Sequence, residues 1–192
     1  MDEDRTRWDE RYGAEELLLG SGPSRLLADW LDRLLVLCPG RRALDIACGE
    51  GRNSIFLARH GFAVTGLDIS PVGIAKAAAW AAREGLTGDF RVTELEGFRI
   101  TERFDLILNF NFLLRELIPG MVAALNPGGV ILFDTILAAS SAPIPHRQEY
   151  LLQPGELAAL FGSYPGAILS SAEFPDDANP TAKLVFRSAR DE

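Results

Sequence analysis

The sequence predicts an α/β fold: a doubly wound, seven-stranded, mostly parallel sheet with helices on both faces and a C-terminal antiparallel hairpin. Three observations carry this. Residues 43–70, ALDIACGEGRNSIFLARHGFAVTGLDIS, read as a buried strand, a turn with two glycines, a helix and a second buried strand closed by an acid, which is a βαβ unit. Strand-like and helical patterns continue to alternate after it. Finally, the strand-like runs 167–174 and 182–187 are joined by a proline-bounded segment rich in turn formers, Pro175-Asp176-Asp177-Ala178-Asn179-Pro180, too short for a crossover helix. That pair must be a hairpin, so one of its strands enters the sheet antiparallel.

The elements follow in order. Residues 5–12 are a short helix, and 23–37 have apolar residues at helical spacing with Pro23 suited to the first turn. Strand one covers 44–47, a helix 53–59 and strand two 63–67. Ser70 caps the next helix with Pro71 at its first position, and that helix runs through the alanines to Gly85. Strand three is 90–95, strand four 104–112, a helix 114–125 and strand five 130–137, followed by a helix from Pro154 to Phe161.

In an open parallel sheet, ligands gather beyond the carboxyl ends of the strands where the winding reverses, here between strands one and four. That selects Asp45, Ala47, Cys48, Gly49, Gly51 and Asn53 after strand one, Asp68 and Ile69 after strand two, Glu94 and Leu95 after strand three, and Asn109, Asn111 and Phe112 after strand four. Gly49 and Gly51 permit positive φ and close approach of backbone to a ligand. Asp68 can accept from both hydroxyls of a ribose, since Ser70 already serves as the cap of the following helix. Asp45 either faces the ligand or braces the turn, Asn53 either reaches the cofactor or caps its helix, and Ile69 lies against an adenine or simply packs.

Two nucleoside ligand classes use this layout. A dinucleotide brings a pyrophosphate, and Glu50 and Asp45 set two carboxylates against the one cation of Arg52, at a Coulomb cost of roughly 1 to 4 kcal/mol per close pair. S-adenosylmethionine brings an ammonium and a sulfonium, which such a turn favours. The third small position of the dinucleotide fingerprint falls on Ser54 where glycine or alanine is expected.

These residues resemble a known family. Asp45-x-Ala47-Cys48-Gly49-x-Gly51-Arg52-Asn53 and Leu67-Asp68-Ile69-Ser70-Pro71-Val72-Gly73-Ile74-Ala75-Lys76-Ala77 resemble the class I S-adenosylmethionine-dependent methyltransferases, and within them the small bacterial group that includes the tellurite-resistance methyltransferases. Trp8-Asp9-Glu10-Arg11-Tyr12 is similar to that group's opening segment, Phe104-Asp105-Leu106-Ile107 to its fourth strand, and Leu125-Asn126-Pro127-Gly128-Gly129-Val130 to its turn into strand five. The resemblance implies a Rossmann-like fold, S-adenosyl-L-methionine as cofactor, and an acid after strand three for the adenine amino group, for which Glu94 is the candidate. It also implies a histidine-arginine pair near the last hairpin in the tellurite branch, where this chain has Glu173, Asp176 and Asp177 instead.

Composition bounds the partners. A chain of 192 residues fits one domain, with residues 1–22 a candidate lid. A net charge of −8, from 27 acidic and 19 basic side chains, argues against nucleic acid. No run of 18 apolar residues occurs and the first residues are charged, so a cytoplasmic protein without a membrane partner is expected. Cys38 and Cys48 flank strand one at about 20 Å, too far for a disulfide with each other. Cys48 reads as a small residue tolerated beside the ligand, and no Cys and His spacing suits a metal. The oligomeric state is not legible, because Phe110, Phe112 and Leu113 suit a pocket or an interface equally.

Methyl transfer asks for in-line alignment and exclusion of water, and for a base only if the acceptor must lose a proton. The acceptor pocket is expected under the N-terminal segment, Asn111 and Phe112, and the loop 138–153, with a small molecule as the acceptor. Trp8 and Tyr12, four apart on one helical face, are candidate lid residues, with Arg7 or Arg11 near the methionine carboxylate. In the loop, His146 is the candidate proton acceptor and Arg147 the candidate for holding an anionic acceptor; a solvated hinge explains the same cluster. Three readings stand: a small-molecule methyltransferase, a non-catalytic sensor or interaction module that keeps cofactor binding, and a dinucleotide oxidoreductase.

Overall fold

The computed structural model describes residues 2–138 and 148–190. Helix α1 (Asp2–Tyr12) and helix α2 (Arg25–Leu37) precede β1 (Arg42–Ile46), α3 (Arg52–Arg59), β2 (Ala63–Asp68), α4 (Pro71–Arg83), β3 (Asp89–Val92) and β4 (Phe104–Phe110). There follow α5 (Ile118–Ala123), β5 (Leu125–Ile136), α6 (Glu156–Gly162), β6 (Gly166–Phe174) and β7 (Thr181–Ser188). The strands form one sheet in the order β3-β2-β1-β4-β5-β7-β6. All neighbours from β3 to β5 pair parallel, whereas β7 inserts antiparallel between β5 and β6. The predicted fold class and its terminal hairpin are therefore present. No described helix is long and apolar enough to cross a membrane.

Period-two alternation in the central strands feeds two apolar layers. Ile107, Ile131 and Phe133 join Leu117 and Met121 beside α5, and Phe161 of α6, on one face. Leu106, Leu108 and Leu132 join Leu27, Trp30 and Leu34 of α2 and Leu57 of α3 on the other. Ile55, Trp80 and Ala81 then seat α4 against α3. The sheet is thus covered on both sides, and its open end is the carboxyl edge of β1 to β5.

Several boundaries differ from expectation for identifiable reasons. The predicted strand 90–95 stops at Val92: Thr93 N still reaches Asp68 O at 2.7 Å, and the chain then turns as Phe98 N donates to Leu95 O. The predicted helix 114–125 is a 3-10 turn, Arg115–Leu117, followed by the short α5, with Pro119 in its first turn. Strand five begins early, at Leu125, because Asn126-Pro127-Gly128-Gly129 bulges against Asp105 between the pairs Phe104 with Leu125 and Leu106 with Val130. Asp105 holds that bulge, accepting from Asn126 Nδ2 at 2.9 Å and from the Arg42 N–H at 2.9 Å. Pro23 lies outside α2, one residue before the N-cap Ser24. Ser70 caps α4 as predicted, accepting from Gly73 N at 3.0 Å.

Phe161 is fully buried with rings of Phe133 and Phe186 at centroid distances of 5.8 and 5.4 Å. Phe161→Ala is expected to cost ~3–5 kcal/mol in urea unfolding, which would test whether α6 is held to the sheet by this cluster.

Candidate functional site

β1 pairs with β2 on one side and β4 on the other, so the connections after β1 and β4 leave in opposite directions and open a cleft at their carboxyl ends. A cavity of about 580 Å³ occupies it, within the range of small-molecule sites. Its wall includes Tyr12, Asp45, Ala47, Cys48, Gly49, Asn53, Asp68, Ile69, Glu94, Leu95, Asn111 and Phe112, which brings most of the predicted site residues together. Ala47 and Asn111, at the ends of β1 and β4, both hold positive φ (54° and 55°), a conformation that costs L residues energy and gathers at functional sites.

Asp68 organises the floor. Its Oδ2 accepts from Gly49 N at 2.8 Å and its Oδ1 from Ser70 N at 2.9 Å, so each oxygen keeps a lone pair for a ligand hydroxyl. Burial raises its pKa, and the backbone N–H groups of Ser70, Gly49 and Ile69 oppose that rise. Gly49 has φ +55°, and an added Cβ would stand 2.6 Å from the Tyr12 hydroxyl. Gly51 serves a different purpose from the one expected: it does not line the cavity, and its missing Cβ admits Ala77 of α4, which would otherwise lie at 2.7 Å. It is a helix-packing glycine.

Asp45 is 2 % exposed and accepts from Ser54 Oγ at 2.6 Å. Burial, with the charge of Asp68 adding to it, pushes its carboxyl up to about 7, against the Ser54 hydrogen bond and the Arg52 guanidinium. Asn53 neither caps α3 nor turns its Oδ1 to the cavity, for that oxygen accepts from Ser24 N at 2.8 Å and pins the start of α2. The expected charge count of the turn was incomplete. Glu50 accepts from Lys76 Nζ at 2.8 Å and from Leu18 N at 2.7 Å, so its charge is paired and ties the N-terminal segment to the turn. Cys48 is a free thiol whose burial pushes its pKa well up, which fits an inert small residue beside a ligand.

Helix α1 lies across this floor. Trp8 and Tyr12 stack at 5.4 Å, Arg11 stands over the Trp8 ring, and both aromatics line the cavity together with Arg7 and Arg11. Asp9 accepts from the Ser70 hydroxyl, which fixes α1 to the start of α4. Burial raises the Tyr12 pKa, with Asp68 adding to the rise, so its hydroxyl stays protonated.

At the other side of the cleft, Asn109 stands behind the wall, 1 % exposed, its Nδ2 donating to Phe112 O at 2.6 Å; its role is to shape the turn that presents Asn111 and Phe112. Glu94 lines the cavity and its buried Oε1 has no hydrogen-bond partner among the described residues. His146 and Arg147 lie outside the described residues. Sequence reasoning missed Leu18, Leu19, Thr135, Ile136, Asn179 and Thr181, which also line the cavity. It missed Arg115 as well. That guanidinium takes both oxygens of Glu156 (2.6 and 3.0 Å) and the carbonyls of Glu149 and Leu151, joining the chain after Leu114 to the segment that presents Tyr150. Its partners are 34 to 41 residues away, and no local pattern announces them.

Two outcomes follow from this geometry. In the folded chain Asp45 holds its proton between its ordinary 3.8 and about 7, while the unfolded chain has lost it, so this group makes stability fall as pH rises through that window. Asp45→Asn, which keeps an acceptor for Ser54, should therefore raise the melting temperature at pH 8 and flatten its pH dependence. Arg115→Ala should leave affinity for an adenosyl ligand unchanged within twofold but cost ~0.5–1.5 kcal/mol of stability, because it removes the part-buried hydrogen bonds to Leu151 O and the Glu156 carboxylate; calorimetric titration and urea unfolding read the two separately.

Comparison with known proteins agrees with this geometry. Residues 43–129 match the methyltransferase domain family. The ubiquinone biosynthesis O-methyltransferase of Nitrosococcus oceani is 32% identical over 137 residues, covering 68% of this chain and 57% of that protein. TehB of Haemophilus influenzae is 28% identical over 136 residues, covering 67% of this chain and 47% of that protein. The chain thus spans about half the length of the curated relatives it matches. The crystal structure of TehB superposes with a TM-score of 0.72 at 20% identity, over 96% of this chain and 66% of that one. The N-methyltransferase NodS of Bradyrhizobium japonicum, in complex with S-adenosyl-L-homocysteine, superposes with a TM-score of 0.71 at 20% identity, over 96% and 97% of the two chains. With its strand order, its inserted antiparallel β7 and its cleft between β1 and β4, the chain has the fold of the class I S-adenosylmethionine-dependent methyltransferases.

Proposed function

We propose that this chain transfers a methyl group from S-adenosylmethionine to a small-molecule acceptor. The observation that carries the reading is the pair of buried acids, Asp45 and Asp68, on the floor of one cavity, where burial, with the charge of Asp68 adding to it, raises the pKa of Asp45. A cationic ligand relieves that cost, whereas a pyrophosphate adds to it. The turn is also poor in free amide donors: Gly49 N donates to Asp68 and Gly51 N to Cys48 O at 3.0 Å. A dinucleotide would have to displace those bonds.

The residues present suit the cofactor. Asp68 would take the ribose hydroxyls, the unpartnered Oε1 of Glu94 would accept from the adenine amino group, and Ile69 and Leu95 would border the ring. Asp45 would face the ammonium, and Arg7 or Arg11 the carboxylate. When bound, S-adenosylmethionine supplies a methyl carbon that takes the acceptor's lone pair as the carbon–sulfur bond breaks and its electrons leave on sulfur. Tyr12 and Trp8 exclude water from above, and Phe112 and Asn111 border the place where an acceptor would lie. His146 as proton acceptor and Arg147 as an acceptor ligand belong to this proposal as sequence-based assignments. The histidine-arginine pair that the resemblance to the tellurite branch implies near the last hairpin is not repeated at Glu173, which lies at the end of β6 and accepts from Gly155 N at 2.6 Å.

Asp68→Ala tests the reading directly. It should lower S-adenosylhomocysteine affinity at least 100-fold by calorimetric titration while circular dichroism stays native; affinity within threefold of the parent chain would remove Asp68 from the site.

A further inference from the structure

The charged lining of the cavity is confined to one half. Its carboxylates and guanidinia come from α1, the end of β1 and the turn after it, the end of β2 and the loop after β3; Arg7, beside Asp4 at 2.8 Å, and Arg11, over Trp8, are the groups assigned to the methionine carboxylate, and Arg52 donates to Leu19 O at 3.2 Å. The half over β4, β5 and β7 is different. Among the described residues it is lined by Phe112, Leu114 and Ile136 and by the polar but uncharged side chains of Asn111, Tyr150, Asn179, Thr135 and Thr181. Leu18 and Leu19, 40 % and 54 % exposed, line the cavity from the other side, where Leu18 N donates to Glu50 and Leu19 O accepts from Arg52.

These facts bear on what can enter. An ion carried into an apolar slot without a partner loses several kcal/mol of hydration. An anion would in addition face the carboxylates of Asp45 and Asp68 across the same cavity. An uncharged molecule meets neither cost, gains from covering Phe112, Leu114 and Ile136, and can orient a polar group on the neutral side chains beside them.

We propose that the half of the cavity over β4, β5 and β7 takes an uncharged acceptor, packed on Phe112, Leu114 and Ile136 and oriented by the neutral polar side chains of Asn111, Asn179, Thr135 and Thr181. The inference rests on the methyl-transfer reading for the word acceptor and on the lining for the chemistry, and it replaces the sequence-based assignment of Arg147 to an anionic acceptor. A neutral lone pair attacking the methyl carbon keeps the positive charge inside the acidic cavity: the sulfur becomes a neutral thioether and the acceptor becomes the cation, or passes a proton to solvent.

The test uses the whole chain and a matched pair of probes, indole and indole-6-carboxylate, titrated calorimetrically with and without saturating S-adenosylhomocysteine. Indole should bind at least tenfold more tightly. Phe112→Ala should weaken indole at least threefold, narrow the gap between the probes and leave S-adenosylhomocysteine affinity unchanged; Ile136→Ala should weaken indole in the same way. Equal or tighter binding of the carboxylate, or indifference of indole to both variants, overturns the proposal. Loss of S-adenosylhomocysteine binding with the indole preference intact would count against the methyl-transfer reading alone, while tight S-adenosylhomocysteine binding with a carboxylate preference would count against this proposal alone.

Discussion

A carboxylate at the end of a parallel strand that accepts two backbone N–H groups is at once a structural joint and a ligand group. Asp68 joins the glycine turn after β1, through Gly49 N, to the start of α4, through Ser70 N. Ser70 passes the constraint on, its hydroxyl capping Gly73 N and donating to Asp9 of α1. The floor, one wall and the cover of the cavity therefore share one buried anion. Such an arrangement needs a preorganised site, because the carboxylate cannot swing away without releasing three elements.

The electrostatic character of the cleft follows from that joint. Burial, with the charge of Asp68 adding to it, raises the pKa of Asp45 against the opposing Arg52 guanidinium, and among the described residues no ion pair reaches either carboxylate. Glu50 belongs to a different circuit, since Lys76 and the Leu18 N–H already satisfy it. The carboxylates on the cavity wall that offer an acceptor to a ligand include the two at the switch point and the orphaned oxygen of Glu94 at the end of the same floor. Three acceptors in a row suit a ligand with an ammonium, a diol and an aromatic amine.

Much of this was legible in the chain. The βαβ unit was visible because its strands are continuous apolar runs and its turn carries glycines at fixed spacing, and the hairpin because a six-residue proline-bounded segment leaves no room for a crossover. Local chemistry also placed the Ser70 cap. What could not be read depends on contacts distant in sequence. Gly51 serves Ala77 across a helix interface, Glu50 answers Lys76 and Leu18, Asn53 holds Ser24, and Arg115 gathers carbonyls from a segment far along the chain. Strand three was overextended because a weak edge strand has pairing on one side only, and the helix after strand four was overextended because apolar spacing outweighed Pro119 and Gly120. Asn109 followed the switch-point rule in position but not in direction, since its amide closes a turn behind the wall.

The most direct test of the account is parallel calorimetric titration of the chain with S-adenosylmethionine, S-adenosylhomocysteine and NAD at pH 6 and pH 8. The account predicts that both adenosyl ligands bind and NAD does not, with S-adenosylmethionine gaining affinity at pH 8 because Asp45, whose carboxyl is pushed up to about 7, is then ionised to meet a cation. Binding of NAD in place of the adenosyl ligands would contradict it, as would S-adenosylmethionine affinity that falls between pH 6 and pH 8.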